Sequence, residues 1–327
     1  MQPFAFTRVK DQDGAVQAAK SNGARYIGGG TNLVDLMKYG VERPEKLVDI
    51  NALPLTEITQ LPEGGLRIGA LVRNSDLAYH PTVREKYPVL SQALLSGASP
   101  QLRNMATVGG NLLQRTRCPY FYDIAFPCNK RQPGSGCSAI KGYNRAHAIL
   151  GVSDHCIATH PSDMCVALAI LDATIHTQGP EGKRSIPFAG FHKLPGDTPH
   201  IETSLQSGEL ITAVDLPSIP YGTTSHYLKV RDRASYEFAL ASAAVMLEME
   251  GRTIRSARIA LGGIGTRPWR SAEAEQVLKG AQMDRSVCEA AAEAALKEAA
   301  PHTFNAFKIG LAKHTLVSAL ITTGEMI

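Results

Sequence analysis

The chain has 327 residues, 44% hydrophobic and 20% charged, with a formal net charge of +4 and six cysteines. Ordinary apolar content with a small net charge excludes a disordered chain, and six cysteines over this length are too sparse for a disulfide-built scaffold. The charge is too mild to argue for nucleic acid, no apolar run approaches the ~18 residues of a membrane span, and Met1–Lys10 lacks the basic-then-apolar pattern of an export signal.

The length suits two or three compact units. A short helix over Ala15–Ala19, started near Asp11–Asp13, precedes a strand at Ala24–Ile27. That strand runs into Gly28-Gly29-Gly30, after which Thr31 is expected to cap a helix through Lys38, ended by Gly40. Strands are expected at Leu47–Ile50 and Leu66–Ile68, a helix start at Asn74–Ser75, and a helix over Val89–Leu95 ending at Gly97. From Arg115 to about Gly151 apolar periodicity disappears, and Pro119, Pro127, Pro133, Gly134 and Gly136 punctuate the run. A structureless stretch of this length inside a compact protein needs something other than apolar packing to hold it. A helix resumes over Met164–Leu171, with Asp163 as its expected N-cap or as a polar contact to a cofactor.

Pro217–Gly222 reads as a domain boundary. Beyond it lie expected strands at His226–Val230, Phe238–Glu248 and Thr253–Leu261, then helices at Ala272–Lys279, Arg285–Ala299 and Phe304–Leu320, with Ser271 and Asp284 as N-caps. Strand alternation across Tyr227–Arg233 would set Lys229, Arg231 and Arg233 on one face, either solvated or toward an anionic cofactor.

Two glycine-rich loops carry possible chemistry. Gly28–Leu33 sits between a strand and a helix, where glycine lets backbone approach a ligand and a helix start offers free amides to a pyrophosphate. It departs from the G-x-G-x-x-G pattern, so a plain strand–helix turn is the alternative. Thr107–Leu112, preceded by Gln101–Asn104, repeats the theme; two such loops could grip a dinucleotide from two sides, or be unrelated turns.

Five of the six cysteines fall between Cys118 and Cys165. Cys118, Cys128, Cys137 and Cys156 lack the short knuckle spacing of structural zinc sites. Wide spacing suits a larger group such as a [4Fe–4S] cluster, while zinc and disulfides stay open as alternatives. The surrounding Arg115, Arg117, Lys130, Arg131, Lys141 and Arg145 would either offset an anionic cluster or form a solvated face. Cys165 and Cys288 sit in apolar helical runs and read as core. His147, His155 and His160 are potential ligands, with ordinary polar roles the alternative. No Walker loop, G-x-S-x-G, H-E-x-x-H or kinase signature occurs, so nothing is arranged for hydrolysis.

On these motifs the chain resembles the FAD-binding medium subunits of the xanthine dehydrogenase family of molybdenum hydroxylases. Ile27, Gly28, Gly29, Gly30, Thr31, Asn32 and Leu33 resemble that family's first FAD pyrophosphate loop. Arg103, Asn104, Thr107, Gly109, Gly110 and Asn111 lie in a run similar to its second loop. Ser162, Asp163 and Lys229 match its later polar FAD contacts, and Ala257–Gly263 resembles the start of the repeated strand–helix part of its C-terminal domain. The cysteine insertion is similar to that of the [4Fe–4S]-containing FAD subunits of bacterial periplasmic aromatic aldehyde oxidoreductases. That pattern implies Cys118, Cys128, Cys137 and Cys156 as cluster ligands. Hydroxybenzoyl-CoA reductase medium subunits are the competing relatives, and a stand-alone flavin oxidase with a zinc-stapled loop is a further alternative.

The resemblance implies an α+β protein. A two-lobed, vanillyl-alcohol-oxidase-type FAD-binding domain is expected over 1–218, with lobes of about 1–60 and 61–218 and the cluster loop at about 115–157. A C-terminal α+β domain of the CO dehydrogenase flavoprotein type is expected over 219–327. It also implies a heterotrimer with a small subunit carrying two [2Fe–2S] clusters and a large molybdenum-cofactor subunit that oxidises an aldehyde. The expected compartment is the periplasm, reached through a twin-arginine signal on a partner, with the cytoplasm as the alternative.

Overall fold

The computed structural model describes residues 1–21, 23–220 and 222–326. Three sheets follow one another along the chain. The first is parallel: β1 (Ala5–Arg8), β2 (Ala24–Ile27) and β3 (Lys46–Asp49) lie in the order β1-β3-β2. Parallel strands need crossovers, and the helix Gln12–Ala19 supplies the one from β1 to β2. Its start is fixed by Asp11, whose carboxylate accepts from the Gly14 amide at 2.7 Å.

The second sheet is antiparallel, with β4 (Ile58–Gln60), β5 (Leu66–Gly69), β6 (Thr174–Gly179), β7 (Gly182–Pro187) and β8 (Leu210–Leu216) in the order β4-β5-β8-β6-β7. Because β4 pairs with β5, the strands of the first lobe end at Asp49. Between β5 and β6 the chain leaves the sheet to form a layer of short helices, the cysteine segment, and the helix Asp163–Ile170.

The third sheet holds β9 (Thr223–Val230), β10 (Ala241–Glu250), β11 (Thr253–Gly262) and β12 (Trp269–Arg270), ordered β12-β11-β10-β9. The helix Phe307–Gly324 packs on β9 and β10, while Pro88–Ser96 packs on β9 and Asp163–Ile170 on β10 and β11. With both faces covered, Ala241–Leu247 is buried throughout and reads as a near-continuous apolar run. The same sandwiching explains why Met164–Ile170 is buried on all sides. Cys165 and Cys288 are fully buried core residues, as expected. Ser271 and Asp284 cap their helices through the amides of Ala274 (3.3 Å) and Val287 (2.9 Å), also as expected.

Several boundaries differ. The strand expected from Phe238 starts at Ala241, the helix expected to Ala299 stops at Ala295, and the last helix starts at Phe307. Alternation fails past Val230, where β9 ends: Arg231 still turns inward to the Ser96 carbonyl, but Arg233 turns to its own loop at Tyr236. Strands β1, β4, β6 and β7 escape a reading of the sequence, because short strands bearing polar residues take their stability from partners distant in the chain; β8 is also not foreseen, although five of its seven residues are apolar. The expected boundary Pro217–Gly222 falls between β8 and β9; its Tyr221 lies outside the described residues. No helix among the described residues is long and apolar enough to cross a membrane.

Candidate cofactor site

The first glycine loop leaves the C-terminal end of β2 and enters the helix Leu33–Lys38. Thr31 is not its cap: Asn32 occupies that position and makes no side-chain capping bond, its Oδ1 accepting instead from the Arg115 amide at 3.0 Å. Uncapped, the loop keeps its donors. Among the described residues the main-chain amides of Gly29 to Leu33 have no protein acceptor, the arrangement that a helix start presents to an anion.

The second loop behaves differently. Its amides are committed: Val108 to the Val72 carbonyl (3.0 Å), Gly109 to that of Ala70 (2.8 Å), and Gly110 to the Thr107 hydroxyl (3.2 Å). Its part is to pack. A methyl group on Gly29 would lie 2.7 Å from the carbonyl carbon of Met105, so the two loops touch backbone to backbone. Gly30 takes φ +73°, a conformation that glycine adopts without strain.

Together the loops wall a cavity of about 1180 Å³. Ile27, Gly28, Gly29, Gly30, Thr31, Asn32, Leu33, Arg103, Thr107, Gly109, Gly110, Asn111, Asp163 and Lys229 all line it. Asn104 does not. It ends the short helix Pro100–Arg103 and turns outward, its Oδ1 accepting from the Ser75 hydroxyl at 2.5 Å. Asp163 is not the N-cap of its helix either. Ser162 is, through the Cys165 amide at 3.1 Å, and its hydroxyl donates to Asn111 Oδ1 at 2.6 Å.

Freed from capping, the Asp163 carboxylate accepts from Lys229 Nζ (2.8 Å) and the Tyr227 hydroxyl (2.6 Å). Lys229 also donates to the Ser96 carbonyl at 3.1 Å. This buried group ties β9 to the wall of the cavity. Burial, then the Asp163 charge, pushes the Tyr227 hydroxyl well above its usual range. His160 and His192 form another part of the wall, and burial first of all holds His192 down to about 4 and His160 well below its ordinary value.

The cysteine segment borders this cavity. Cys118, Cys128, Cys137 and Cys156 converge on one small pocket whose lining includes Phe121, Ala139 and Ala158. A tight turn brings two of them together. Gly134 (φ +82°) and Gly136 (φ +100°) reverse the chain, Asn129 clamps it through the Gly136 amide (2.8 Å), and Cys128 faces Cys137 as an antiparallel pair. None of the six cysteines forms a disulfide. Among the described residues no three of the four sulfurs lie within 4.8 Å of one another. Burial pushes the Cys118 thiol up to about 12 and the Cys156 thiol up to about 11, so metal ligation here would release protons. Cys156, Lys130, Thr116 and Ala158 line both the pocket and the large cavity, which share this wall.

Most of the basic side chains of the segment neither face the sulfurs nor stand free. Arg115 pairs with Glu42 and Glu202, Arg117 with Asp35, Arg145 with Asp232, and Arg131 donates to the carbonyls of Tyr120 and Phe121. Arg115, Arg117 and Arg145 staple the segment to other parts of the chain, and Arg131 braces it internally. Lys130 is the one that lines the cysteine pocket, and it is paired with Glu202 at 2.8 Å. His155 points to Asp197, whereas His147 lies buried against Cys118, its Nε2 3.1 Å from the sulfur. Nothing in the spacing of His147 distinguishes it from His155.

The chain belongs to the FAD-binding medium subunits of the molybdenum hydroxylase family. The family described as "FAD binding domain in molybdopterin dehydrogenase" matches residues 2–219, and "CO dehydrogenase flavoprotein C-terminal domain" matches 226–323. The chain is 54% identical to the aldehyde oxidoreductase FAD-binding subunit PaoB of Escherichia coli, over 98% of each chain. It is 28% identical to the carbon monoxide dehydrogenase medium chain of Hydrogenophaga pseudoflava, over 84% of this chain and 78% of that one. Its fold matches the reconstituted CO dehydrogenase from Oligotropha carboxidovorans with a TM-score of 0.79 at 26% identity, covering 100% of this chain and 99% of the other. The α+β architecture expected from the sequence is therefore that of this family.

Proposed function

We propose that this chain is the FAD- and [4Fe–4S]-carrying electron-transfer subunit of a heterotrimeric, molybdenum-dependent aldehyde oxidoreductase. In this reading a large partner binds the molybdenum cofactor and oxidises an aldehyde to a carboxylic acid. A small partner carries two [2Fe–2S] clusters and relays the electrons. They arrive here and leave to an external acceptor. The periplasm is the proposed compartment, entered on a partner's export signal; fractionation of the host would test it.

The observation that carries the reading is the shared wall: four cysteines around one pocket, directly behind the cavity that the glycine loops enclose. The donor set fits an iron–sulfur cluster better than zinc. A tetrahedral zinc with bonds of about 2.3 Å draws all its sulfurs to about 3.8 Å from one another, whereas among the described residues no three of these four lie within 4.8 Å of one another. Thiolates are the usual ligands of [4Fe–4S] clusters. Bound FAD supplies exchange of one or two electrons. The protein's part is to bind and orient it: the amides of Gly29 to Leu33 would take the pyrophosphate, and Lys229 with Asp163 would hold a polar edge. The 54% identity to an aldehyde oxidoreductase subunit supports the substrate class.

The test is the composition of the assembled enzyme purified from its host. FAD, molybdenum and about eight irons are expected, four of the irons on this chain. Cys128→Ser should lose those four and Cys165→Ser should keep them. Zinc in place of iron on this chain, or equal iron loss in both variants, would refute the assignment.

A further inference from the structure

We infer that His147 donates a hydrogen bond from Nε2 to the sulfur of Cys118 and so raises the reduction potential of the group held by the four cysteines. This rests on the cluster reading above.

The geometry is specific. Nε2 stands 3.1 Å from Cys118 Sγ, and the imidazole is buried at 3% exposure. Its other nitrogen, Nδ1, is buried and has no partner among the described residues. A proton on Nδ1 would strand a buried donor without a partner, whereas a proton on Nε2 points at the sulfur. An unmet donor is the costlier choice, which selects the Nε2–H tautomer. Among the described residues no other side chain hydrogen-bonds any of the four sulfurs; main-chain amides do, those of Phe121 and Tyr120 toward Cys118 and that of Ala158 toward Cys156 at 3.5 Å.

The backbone that carries the ring is held from outside the cysteine segment. Asn305, just ahead of the last helix, donates from Nδ2 to the carbonyls of His147 (3.3 Å) and Ala148 (3.1 Å). The His147 amide donates to the Asn144 carbonyl (3.0 Å), and Asn144 Oδ1 accepts from the Phe304 amide (3.0 Å). The C-terminal domain thus fixes the donor, and the FAD-binding domain supplies the acceptor.

One-electron reduction adds one unit of negative charge, shared with the ligand sulfurs, and breaks no bond. The electron comes from the partner's cluster in turnover, or from a chemical reductant in a titration. A donor aimed at a ligand sulfur stabilises the more negative state, and hydrogen bonds to sulfur are among the determinants of cluster potential. The surrounding apolar wall strengthens the effect.

The experiment is an EPR-monitored redox titration of the holoenzyme carrying His147→Leu or His147→Gln, with iron and sulfide quantified in each. His147→Leu should keep its iron and shift the reduction equilibrium about tenfold toward the oxidised form, equivalent to about 59 mV for one electron. His147→Gln, whose amide nitrogen can reach the same place, should recover most of that shift. An unshifted potential in His147→Leu, equal shifts in both variants, or iron loss in both would overturn the inference. If His147→Leu alone loses iron, a near-wild-type potential in His147→Gln supports it and a fully shifted one overturns it. A wild-type enzyme without the four irons would instead remove the reading on which it rests.

Discussion

Replacing Gly29 by alanine tests the glycine-loop arrangement with a single methyl group. Gly29 does not need glycine for its dihedral angles; it needs the space. An added Cβ would lie 2.7 Å from the Met105 carbonyl carbon and 3.2 Å from Ala106 Cα, and it would overlap the Met105 carbonyl oxygen. Backbone cannot rotate away as a side chain can, so the two loops must part by about 1 Å, at a strain typical of overpacking, about 1–3 kcal/mol. In the flavin-free protein the loops can relax and relieve part of this. Binding a dinucleotide that spans both loops imposes the original spacing again, so FAD affinity should fall by up to about 5–150-fold. Gly310→Ala is the control. It sits in the last helix with nothing within 4 Å of its added methyl, and alanine there should add up to ~1 kcal/mol of stability with no change in FAD binding. Flavin fluorescence titration of refolded flavin-free protein, with denaturant unfolding of each variant, gives both numbers. Unchanged FAD affinity in Gly29→Ala would refute the close approach of the loops.

Two further outcomes follow from buried charge. Lys229→Ala would leave Asp163 buried without its cation, and breaking such a pair costs about 3–5 kcal/mol; Arg233→Ala, on an exposed side chain, should stay within about 0.5 kcal/mol in the same urea titration. Burial tends to raise the Glu202 carboxyl, but Lys130 and Arg115 outweigh it and hold the group below the ordinary glutamate range. Its stabilising contribution is therefore complete above the unfolded value near 4.5 and is lost as pH falls through the lower folded value. The melting-temperature gap between wild type and Glu202→Gln should be constant at neutral pH and narrow as pH falls below about 4.5; a gap that does not narrow under acid would contradict the pairing.

Much of the site was legible because its signals are local. A glycine run after a strand, a hydroxyl before a helix and a cysteine beside a turn depend on neighbours a few residues away. Asp11, Ser271 and Asp284 cap as their positions indicate. Asp163 misled for the same local reason: Ser162 is an equally good cap one residue earlier, and only the arrival of Lys229 and Tyr227 from β9 gives Asp163 its partners. The basic residues of the cysteine segment misled in a different way. Charge in the sequence carries a sign but no direction, and the acids that claim it, Glu42, Glu202, Asp35 and Asp232, come from other parts of the chain.

The sequence by itself determined the class: apolar content sufficient for packed domains, two glycine-rich loops suited to close backbone approach, and four cysteines in or beside a stretch with little apolar periodicity. Tertiary structure decided which of these features do what. It leaves the amides of the first loop free and commits those of the second, turns Asn104 away, and brings four sulfurs to one pocket behind the cavity. It also sets one histidine of the segment against a sulfur through an asparagine more than 150 positions away. The reason is physical. Backbone conformation is chosen largely by nearest neighbours, whereas the surroundings of a buried polar atom are chosen by whatever the rest of the chain packs against it.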